Sequence, residues 1–356
     1  YKYYAGMIEY ILKNTNITIH YVTSDPDDSI FEKAEKNDKI KAYYIGEKKL
    51  ITLMMKMDAD IVVMTMPDLE NYHIKRSYIR KDIEYIYVPH GMDSLNMTMR
   101  TGSMDHFDTV FCTGKHQREE IEKTEEVYGL PKKNIVDWGY CLLDSMREDY
   151  KSVKKNPSAK KSILIAPSWQ KDNIVDSCLD ELLDNLKGHG YKVTVRPHPQ
   201  HVRHMPERME QLKERFADND DIEIQTDFSS NSTVFEADMM ITDWSGIAYE
   251  YAYTTCKPVL FINTPMKVMN PEYEKIGVEP INIWMRHSIG KSVNPDEMDK
   301  VAGVVEDMFN NSEAYSRQID EFVHEYVYNL GNSAKVGGDY IINAVVRKIK
   351  EAKEAK

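Results

Sequence analysis

The stretch Met239-Met-Ile-Thr-Asp-Trp-Ser-Gly-Ile-Ala-Tyr-Glu250 passes from an apolar run into a polar turn and then into a helical segment. A short continuous apolar run predicts a strand that is buried on both faces, as in a parallel sheet. Ser245 is a good helix N-cap, so a helix is expected to open at Ser245-Gly246 and to continue through Tyr253. This strand–turn–helix order is the repeating unit of a doubly wound α/β fold.

The same alternation extends over most of the 356 residues. One helix, for example, is predicted over 173–187, with apolar residues at four-residue spacing before Gly188. Eleven strands are predicted, at 17–22, 42–45, 61–65, 85–88, 110–113, 135–139, 162–166, 191–195, 222–225, 239–242 and 259–263. These are too many for one doubly wound sheet at this length, so the sequence predicts two Rossmann-like α/β domains.

A lysine-rich segment separates the two predicted domains. Residues 151–161, KSVKKNPSAKK, contain five lysines and one proline without apolar periodicity, which is typical of an exposed linker. We therefore expect an N-terminal domain at 1–153, a C-terminal domain at 154–335, and a C-terminal helix and tail at 336–356. The sequence opens on a helical segment at 3–13, whereas a doubly wound domain usually opens on a strand. A first strand is accordingly expected upstream of this sequence.

Composition excludes several classes of function. The chain has 46 basic and 58 acidic residues, a net charge of −12, which argues against a broad surface for nucleic acid. A phosphate substrate would therefore need positive charge concentrated in one small place. The four cysteines form no CxxC pair and are expected to be small core residues in a reducing compartment. No apolar run approaches the roughly 18–20 residues of a membrane span.

Polar residues at strand ends are the candidate functional residues, because open α/β sheets bind ligands outside the carboxyl ends of their strands. His90 follows the strand predicted at 85–88, and Gly91 permits a tight turn there. A histidine in this position can act as a general base. It can equally hydrogen-bond a neighbouring loop, and the residues alone leave both interpretations open.

A second strand end carries Arg196 and His198 at alternate positions, so they share one face if the chain stays extended. The intervening and following prolines favour that extension. An Arg-x-His pair suits a phosphate, because arginine offers a bidentate fork and histidine a second donor. A structural loop clamp is the alternative. His201 and His204 follow, but nothing completes a zinc ligand set, so a solvated loop and no metal site are expected.

The helix predicted to open at Ser245-Gly246 offers free N–H groups and a positive dipole end to an anion. An ordinary capped helix is the alternative interpretation. Glu250, predicted to lie more than one turn into this helix, is placed to reach a ribose or an adjacent loop. The run 226–230, which ends in Ser229 and Ser230, repeats the capping chemistry at another strand end. The absence of GxGxxG, P-loop and GxSxG motifs argues against NAD binding, P-loop chemistry and α/β-hydrolase chemistry.

In this order and spacing, the motifs resemble those of the CDP-glycerol glycerophosphotransferase family, which contains teichoic-acid-type polymerases and primases. The resemblance runs from about 90 to 280 and rests on five stretches: His90-Gly91, Gly139-Tyr140, Ile165-Ala-Pro-Ser-Trp169, Arg196-Pro-His-Pro199, and Thr242-Asp-Trp-Ser-Gly-Ile-Ala-Tyr-Glu-Tyr251 with Lys257-Pro258. It implies a GT-B-like architecture, in which two Rossmann-like domains face each other across a cleft. It also implies transfer of glycerol phosphate from CDP-glycerol to an acceptor hydroxyl, with release of CMP and no required cofactor.

Within that resemblance, His90 and His198 are the expected catalytic pair. His90 would take the proton of the acceptor hydroxyl, and Arg196 with His198 would stabilise charge on the transferred phosphoryl group. The residues expected to bind the nucleotide-activated donor are Ser168, Trp169, Ser229, Ser230, Asp243, Ser245, Gly246 and Glu250.

Two features of the site stay open at this point. Met92-Asp93-Ser94 stand where the family usually has Thr-Pro and then basic residues, so the acceptor and the transferred alditol phosphate are not fixed. We expect a glycan or lipid-linked, teichoic-acid-like acceptor in cell-wall or capsule synthesis. The protein is then expected to be cytoplasmic and peripheral on the inner face of the membrane.

Two other classes of function compete with this one. A nucleotide-sugar glycosyltransferase or NDP-sugar epimerase of the same architecture would act at the sugar–phosphate bond, and released CDP or UDP would identify it. A non-enzymatic binding scaffold would bind no nucleotide.

Overall fold

The computed structural model describes residues 1–154, 160–228 and 232–354. The chain divides into two compact units. Unit 1 contains Tyr1–Ser145, Met269–Val278 and Tyr326–Lys356, and unit 2 contains Met146–Val268 and Glu279–Glu325. Unit 1 has a four-stranded and a two-stranded parallel sheet, unit 2 has a six-stranded one, and each unit has its own buried apolar core.

The first half of the chain contains helices and parallel strands, which alternate except from β3 to β5, where three strands follow one another without a helix. They are α1 (Ala5–Asn14), β1 (Ile19–Thr23), α2 (Ile30–Lys36), β2 (Ile40–Tyr44), α3 (Glu47–Met55), β3 (Ile61–Met64), β4 (Glu84–Tyr87), β5 (Thr109–Cys112), α4 (Lys115–Tyr128), β6 (Asn134–Asp137) and α5 (Cys141–Tyr150). Strands β3, β4, β5 and β6 form a four-stranded parallel sheet in that order, and β1 pairs with β2 separately. Strand β5 is buried along its whole length, as its apolar sequence predicts.

The second half of the chain continues the alternation. Its elements are β7 (Ser162–Ile165), α6 (Ile174–Ser177), α7 (Leu179–Leu186), β8 (Lys192–Val195), α8 (Pro199–His204), α9 (Pro206–Arg215), β9 (Ile222–Ile224), α10 (Ser232–Glu236), β10 (Met239–Thr242), α11 (Ile247–Thr255), β11 (Val259–Ile262), α12 (Ile281–Trp284), α13 (Arg286–Ile289), β12 (Gly290–Val293), α14 (Val301–Asn310), α15 (Ser312–Tyr326) and α16 (Ser333–Glu354). Strands β7 to β12 form one parallel sheet in the order β12-β11-β10-β7-β8-β9.

Each of the eleven predicted strands is confirmed, with ends within two residues of the observed ones. The fold class, α/β with doubly wound parallel sheets, is confirmed as well. Strand β12 was not predicted, because its sequence Gly-Lys-Ser-Val has no apolar run. Gly290 fits there because β12 pairs directly with β11, and a Cβ at this position would collide with the carbonyl of Val259.

The single helix predicted over 173–187 is wrong in one respect. Two helices, α6 and α7, meet at Cys178, whose φ of −145° is not helical. The Asn173 side chain accepts from Val175 N at 2.7 Å and so caps α6 at its start. The capped first turn of α6 and the four-residue apolar spacing of α7 form one continuous helical pattern in the sequence, so the break between the two helices was not predicted.

The two units are divided differently from the two predicted domains. The boundary lies at Ser145/Met146, inside α5, whereas the linker predicted at 151–161 lies partly outside the described residues. The C-terminal helix α16 belongs to unit 1, where Trp138 Nε1 donates to the Ser333 carbonyl at 3.0 Å and Tyr10 Oη donates to Asp339 at 2.8 Å. These are long-range contacts, and linear patterning carries no signal for them.

The four cysteines are free, and Cys112, Cys141 and Cys178 are buried, in agreement with small core residues. Burial raises the pKa of the Cys141 thiol to about 12, so this thiol stays protonated near neutral pH. Among the described helices, none is both long enough and apolar enough to cross a membrane.

Candidate functional site

The strand order of unit 2 defines where a ligand can bind. Strand β7 lies at the middle of the sheet, β8 and β9 extend from it on one side, and β10, β11 and β12 extend on the other. This is the order of a dinucleotide-binding sheet, and the reversal falls between β7 and β10. The loops that follow these two strands lie at the switch point, which is the usual ligand site of such a sheet. They carry Ser168 and Trp169 after β7, and 243–246 after β10.

Asp243 follows β10 and links the two loops. Its side chain is 1% exposed, and Oδ1 accepts from the backbone N–H of Ser168 at 2.8 Å. Oδ2 accepts from the backbone N–H of Ile174 at 3.2 Å and from the Thr264 hydroxyl at 3.4 Å. The carboxylate therefore fixes the path of the chain from Ser168 to the start of α6.

Arg286, on α13, lies beside the Asp243 turn and was missed by the sequence analysis. It is 6% exposed, and its guanidinium donates to the Asp243 carbonyl at 2.9 Å and to Asn263 Oδ1 at 2.8 Å. Its Cζ atom lies 4.0 Å from the ring centroid of Trp244 and 4.6 Å from that of Phe261. Burial lowers the pKa of Arg286 to about 10, which still leaves it charged at neutral pH. The sequence gives no signal for it, since a lone arginine in a short helix is usually a surface residue.

Helix α11 begins immediately after the Asp243 turn. The turn residue before the helix is Gly246, and no side chain among the described residues caps the first turn. Ser245 contributes its carbonyl, which accepts from Ala248 N at 3.2 Å, rather than the hydroxyl cap predicted from the sequence. Glu250 lies in the first turn of α11, closer to its start than predicted, and is half-buried. The first N–H groups of α11 and the Arg286 guanidinium therefore lie together at this turn, where the buried Asp243 carboxylate balances part of their positive charge.

Arg196 continues from β8, and its backbone N–H donates to the Ile165 carbonyl at 2.8 Å. Its side chain is half-buried, donates to the Thr233 hydroxyl at 3.2 Å and lies over the Phe228 ring at 5.6 Å. Burial lowers the pKa of Arg196, although it remains a cation at neutral pH.

His198 caps the short helix α8, because its Nδ1 accepts from the backbone N–H of Gln200 at 3.2 Å. A neutral histidine that accepts at Nδ1 carries its proton at Nε2, so Nε2–H is available as a donor. Burial lowers the pKa of His198, and the nearby Lys267 charge adds to that effect, so the ring is neutral at pH 7.

The Trp169 ring lies close to the rings of the three histidines that follow β8. Its ring centroid is 6.4 Å from that of His198, 5.7 Å from that of His204 and 4.9 Å from that of His201. The expectation of a solvated loop is wrong for His201, which is fully buried and whose two ring nitrogens have no hydrogen-bond partner among the described residues. His201 packs edge-on against Trp169, a contact that spans more than 30 residues of sequence.

In unit 1, His90 emerges at the end of β4 after the buried residues Val88 and Pro89, and its side chain is exposed. The Tyr140 hydroxyl donates to the His90 carbonyl at 3.0 Å, and the Tyr3 ring lies edge-on to the imidazole at 6.1 Å. Tyr140 reaches this point because Gly139 makes the turn after β6 with φ of +98°. The two other donor-binding residues predicted from the sequence, Ser229 and Ser230, lie outside the described residues.

The fold and these strand-end residues define a GT-B-like α/β protein whose second unit has the strand order of a dinucleotide-binding sheet. The sequence matches the family model of CDP-glycerol:poly(glycerophosphate) glycerophosphotransferase over residues 4–343, and the chain belongs to that family. The resemblance seen in the sequence is thereby confirmed.

Two curated relatives come from Bacillus subtilis (strain 168). The chain is 22% identical over 349 residues to the minor teichoic acid biosynthesis protein GgaB, covering 88% of this chain and 35% of that protein. It is 26% identical over 267 residues to teichoic acid glycerol-phosphate primase, covering 66% of this chain and 65% of that protein. The chain thus spans about a third of the first relative and just under two thirds of the second.

Solved structures share the fold. The wall teichoic acid polymerase TagF is 16% identical with a TM-score of 0.60, covering 97% of this chain and 86% of that one. The UDP-GlcNAc 2-epimerase of Methanocaldococcus jannaschii, in complex with UDP-GlcNAc and UDP, is 16% identical with a TM-score of 0.60, covering 97% of this chain and 96% of that one. These likenesses confirm the GT-B-like fold that the sequence predicted.

Proposed function

We propose that this chain transfers glycerol phosphate, or a related alditol phosphate, from a CDP-activated donor to a hydroxyl of a teichoic-acid-like acceptor and releases CMP. The observation that carries the proposal is the turn 243–246 at the switch point of unit 2, where the start of α11 and the buried Arg286 lie together. Membership of the glycerophosphotransferase family supports the choice of a CDP-alditol over other nucleotide donors.

The diphosphate of the donor is assigned to this turn. The N–H groups at the start of α11 and the Arg286 charge favour an anion there. The overall charge of −12 does not oppose such binding, because Arg286 lies at the turn and most acidic side chains are screened on the surface. The buried Asp243 carboxylate of the turn already accepts from the N–H groups of Ser168 and Ile174. Ser168, Trp169 and Glu250 are assigned to the nucleoside and ribose, and their position at the same sheet edge supports this.

His90 is assigned as the general base. Its imidazole accepts the proton of the acceptor hydroxyl as that oxygen forms a bond to the β-phosphorus. The bond from the β-phosphorus to the bridging oxygen breaks, and CMP leaves with the electron pair. Arg196 and the Nε2–H of His198 donate to the oxygens of the transferred phosphoryl group, because phosphoryl transfer depends mainly on positioning and charge stabilisation.

The direct test supplies purified protein with CDP-glycerol and a glycerol phosphate oligomer and identifies the released nucleotide by chromatography. CMP release that requires the acceptor supports the proposal. Release of CDP identifies a glycosyltransferase instead, and absence of CMP and CDP-glycerol binding by calorimetry identifies a scaffold.

The base assignment has its own variant pair. His90→Ala should lower turnover roughly 10²–10⁴-fold while leaving donor affinity nearly unchanged. His73→Ala, which replaces another exposed histidine of unit 1, is the matched control and should keep normal turnover. Near-normal turnover in His90→Ala would remove His90 from the mechanism.

A further inference from the structure

The loop that carries His90 lies against three buried polar side chains of α4. These are His116, Gln117 and Glu120, which are 7%, 0% and 2% exposed. Positions i, i+1 and i+4 lie on one face of a helix, and this face points to the loop. Burying polar and titratable groups is costly unless they are hydrogen-bonded, so their partners show what the face does.

Gln117 bridges the loop and the start of its own helix. Its side-chain oxygen accepts from Thr113 N at 2.8 Å, and its side-chain nitrogen donates to the Asp93 carbonyl at 2.9 Å and to the Gly91 carbonyl at 3.4 Å. One amide side chain therefore satisfies three backbone groups, two of them within three residues of His90.

Glu120 holds the next part of the loop. Its Oε2 accepts from Leu95 N at 2.7 Å and from Asn96 N at 3.2 Å, and the Ser94 hydroxyl also bonds to this carboxyl group. His116 supports the segment between them, since its Nε2 lies 2.9 Å from the Met92 carbonyl. A carbonyl only accepts, so this nitrogen carries the proton.

The backbone of the loop depends on these side chains for its hydrogen bonds. After β4 ends at Tyr87, the described chain is irregular as far as Ser94, and the groups named above find side-chain partners on α4 in place of a strand ladder. On the other side, the Tyr140 hydroxyl donates to the His90 carbonyl. The exposed imidazole therefore stands on a backbone that is held from both sides.

We propose that Gln117 and Glu120 are positioning residues that fix residues 91–96 and thereby the orientation of His90. The inference rests on the proposed role of His90 as the base. Neither side chain is assigned a contact with substrate, and each acts through the backbone of the loop. Attack of the acceptor hydroxyl on phosphorus is sensitive to the placement of the base, and a displacement of the base by about 1 Å can lower the rate roughly 10²-fold.

The test compares variants that lose or keep the hydrogen bonds. Glu120→Leu and Gln117→Leu should lower kcat by roughly tenfold or more, while KM for CDP-glycerol stays within about twofold of wild type. Glu120→Gln should keep most of kcat, because an amide oxygen can accept from the N–H groups of Leu95 and Asn96 in the same way.

Glu125→Leu provides the matched control. Glu125 is another buried glutamate of α4, but it accepts from the Lys133 backbone at 2.8 Å, on the connection to β6. This variant should lower the melting temperature yet keep kcat when assayed well below that temperature. If Glu125→Leu lost as much kcat as Glu120→Leu, the loss would come from general destabilisation of α4, and the proposal would be overturned. A kcat within about twofold of wild type in Glu120→Leu would overturn it as well.

Hydrogen exchange separates this inference from the proposed function. Peptides that cover 91–98 should exchange faster in Glu120→Leu than in wild type and at the wild-type rate in Glu125→Leu. If wild type transfers no glycerol phosphate, the proposed function fails, whereas the exchange measurement still decides whether α4 fixes the loop. Unchanged exchange of 91–98 in Glu120→Leu would overturn the inference even in an active enzyme.

Discussion

Replacing the buried carboxylate at the switch point is the sharpest test of how unit 2 is built. In wild type, the two oxygens of Asp243 accept from the backbone N–H groups of Ser168 and Ile174 and from the Thr264 hydroxyl. Asp243→Asn keeps the shape but changes one oxygen into an NH₂ group. That group must then face a backbone N–H, so two donors oppose each other in a site that is 1% exposed.

The size of the effect follows from these contacts. A buried donor left without an acceptor costs about 1–3 kcal/mol. The substitution also removes the negative charge nearest to Arg286, a charge that opposes the lowering of the Arg286 pKa by burial. Hydrogen bonds to an ionised acceptor are roughly twice as strong as neutral ones, so we expect a total loss of about 3 kcal/mol. In a domain of roughly 150–250 residues this lowers the melting temperature by about 6–12 °C.

Thermal unfolding followed by tryptophan fluorescence measures this shift, because Trp169 and Trp244 lie on the two loops that border the switch point. Asp218→Asn, an exposed aspartate of the same unit, is the control and should change stability by less than about 0.5 kcal/mol. A melting temperature for Asp243→Asn within about 2 °C of wild type would refute the claim that this carboxylate holds the two loops together.

Three further perturbations test other parts of the molecule. Arg196→Gln should weaken binding of CDP, which keeps the β-phosphate, by roughly tenfold in calorimetry, because it removes a half-buried cation, and an unchanged CDP affinity would refute its phosphate role. Burial raises the pKa of Glu120 to about 7, so the folded state holds this proton more tightly than the unfolded state, and stability is lost as pH rises from about 4.5 through 7. Glu120→Gln should remove this pH-dependent loss of unfolding free energy, which amounts to up to about 3 kcal/mol. Denaturant titrations of wild type and variant at pH 5 and pH 8 measure it, and an equal pH dependence of stability in both proteins would contradict the prediction. Gly139→Ala should destabilise unit 1 by at least about 1–3 kcal/mol, since φ is +98° and a Cβ would collide with Ser333 and the Tyr328 carbonyl; a wild-type melting temperature would contradict this.

The sequence predicted most of the sheets because their strands are short apolar runs between turns. The 162–165 and 239–242 segments are apolar and buried, and each is followed by polar residues at the carboxyl end of its strand. Arg196 and the turn that contains Asp243 could be located in this way, as local pattern and the geometry of parallel sheets were sufficient, whereas Ser168 was predicted from the family resemblance. Their strand-end positions needed no knowledge of strand order.

What the sequence did not predict depends on contacts between distant segments. Arg286 is functional in our proposal only because α13 brings it beside a turn more than 40 residues earlier. His201 is buried and packs edge-on against Trp169, which comes from another strand end. In both cases the residue type alone favoured the wrong environment, since arginine and histidine in short polar stretches are usually exposed.

The polar face of α4 shows why such residues escape sequence reasoning and why they matter for function. In sequence, His116, Gln117 and Glu120 belong to a strongly charged helix and are indistinguishable from its solvated face. In the structure they are buried against the loop after β4, whose carbonyl and N–H groups they hydrogen-bond. An apolar helix face would pack against such a loop but would leave those groups without partners. In our proposal, this polar helix face holds the loop and thereby orients the exposed imidazole of His90.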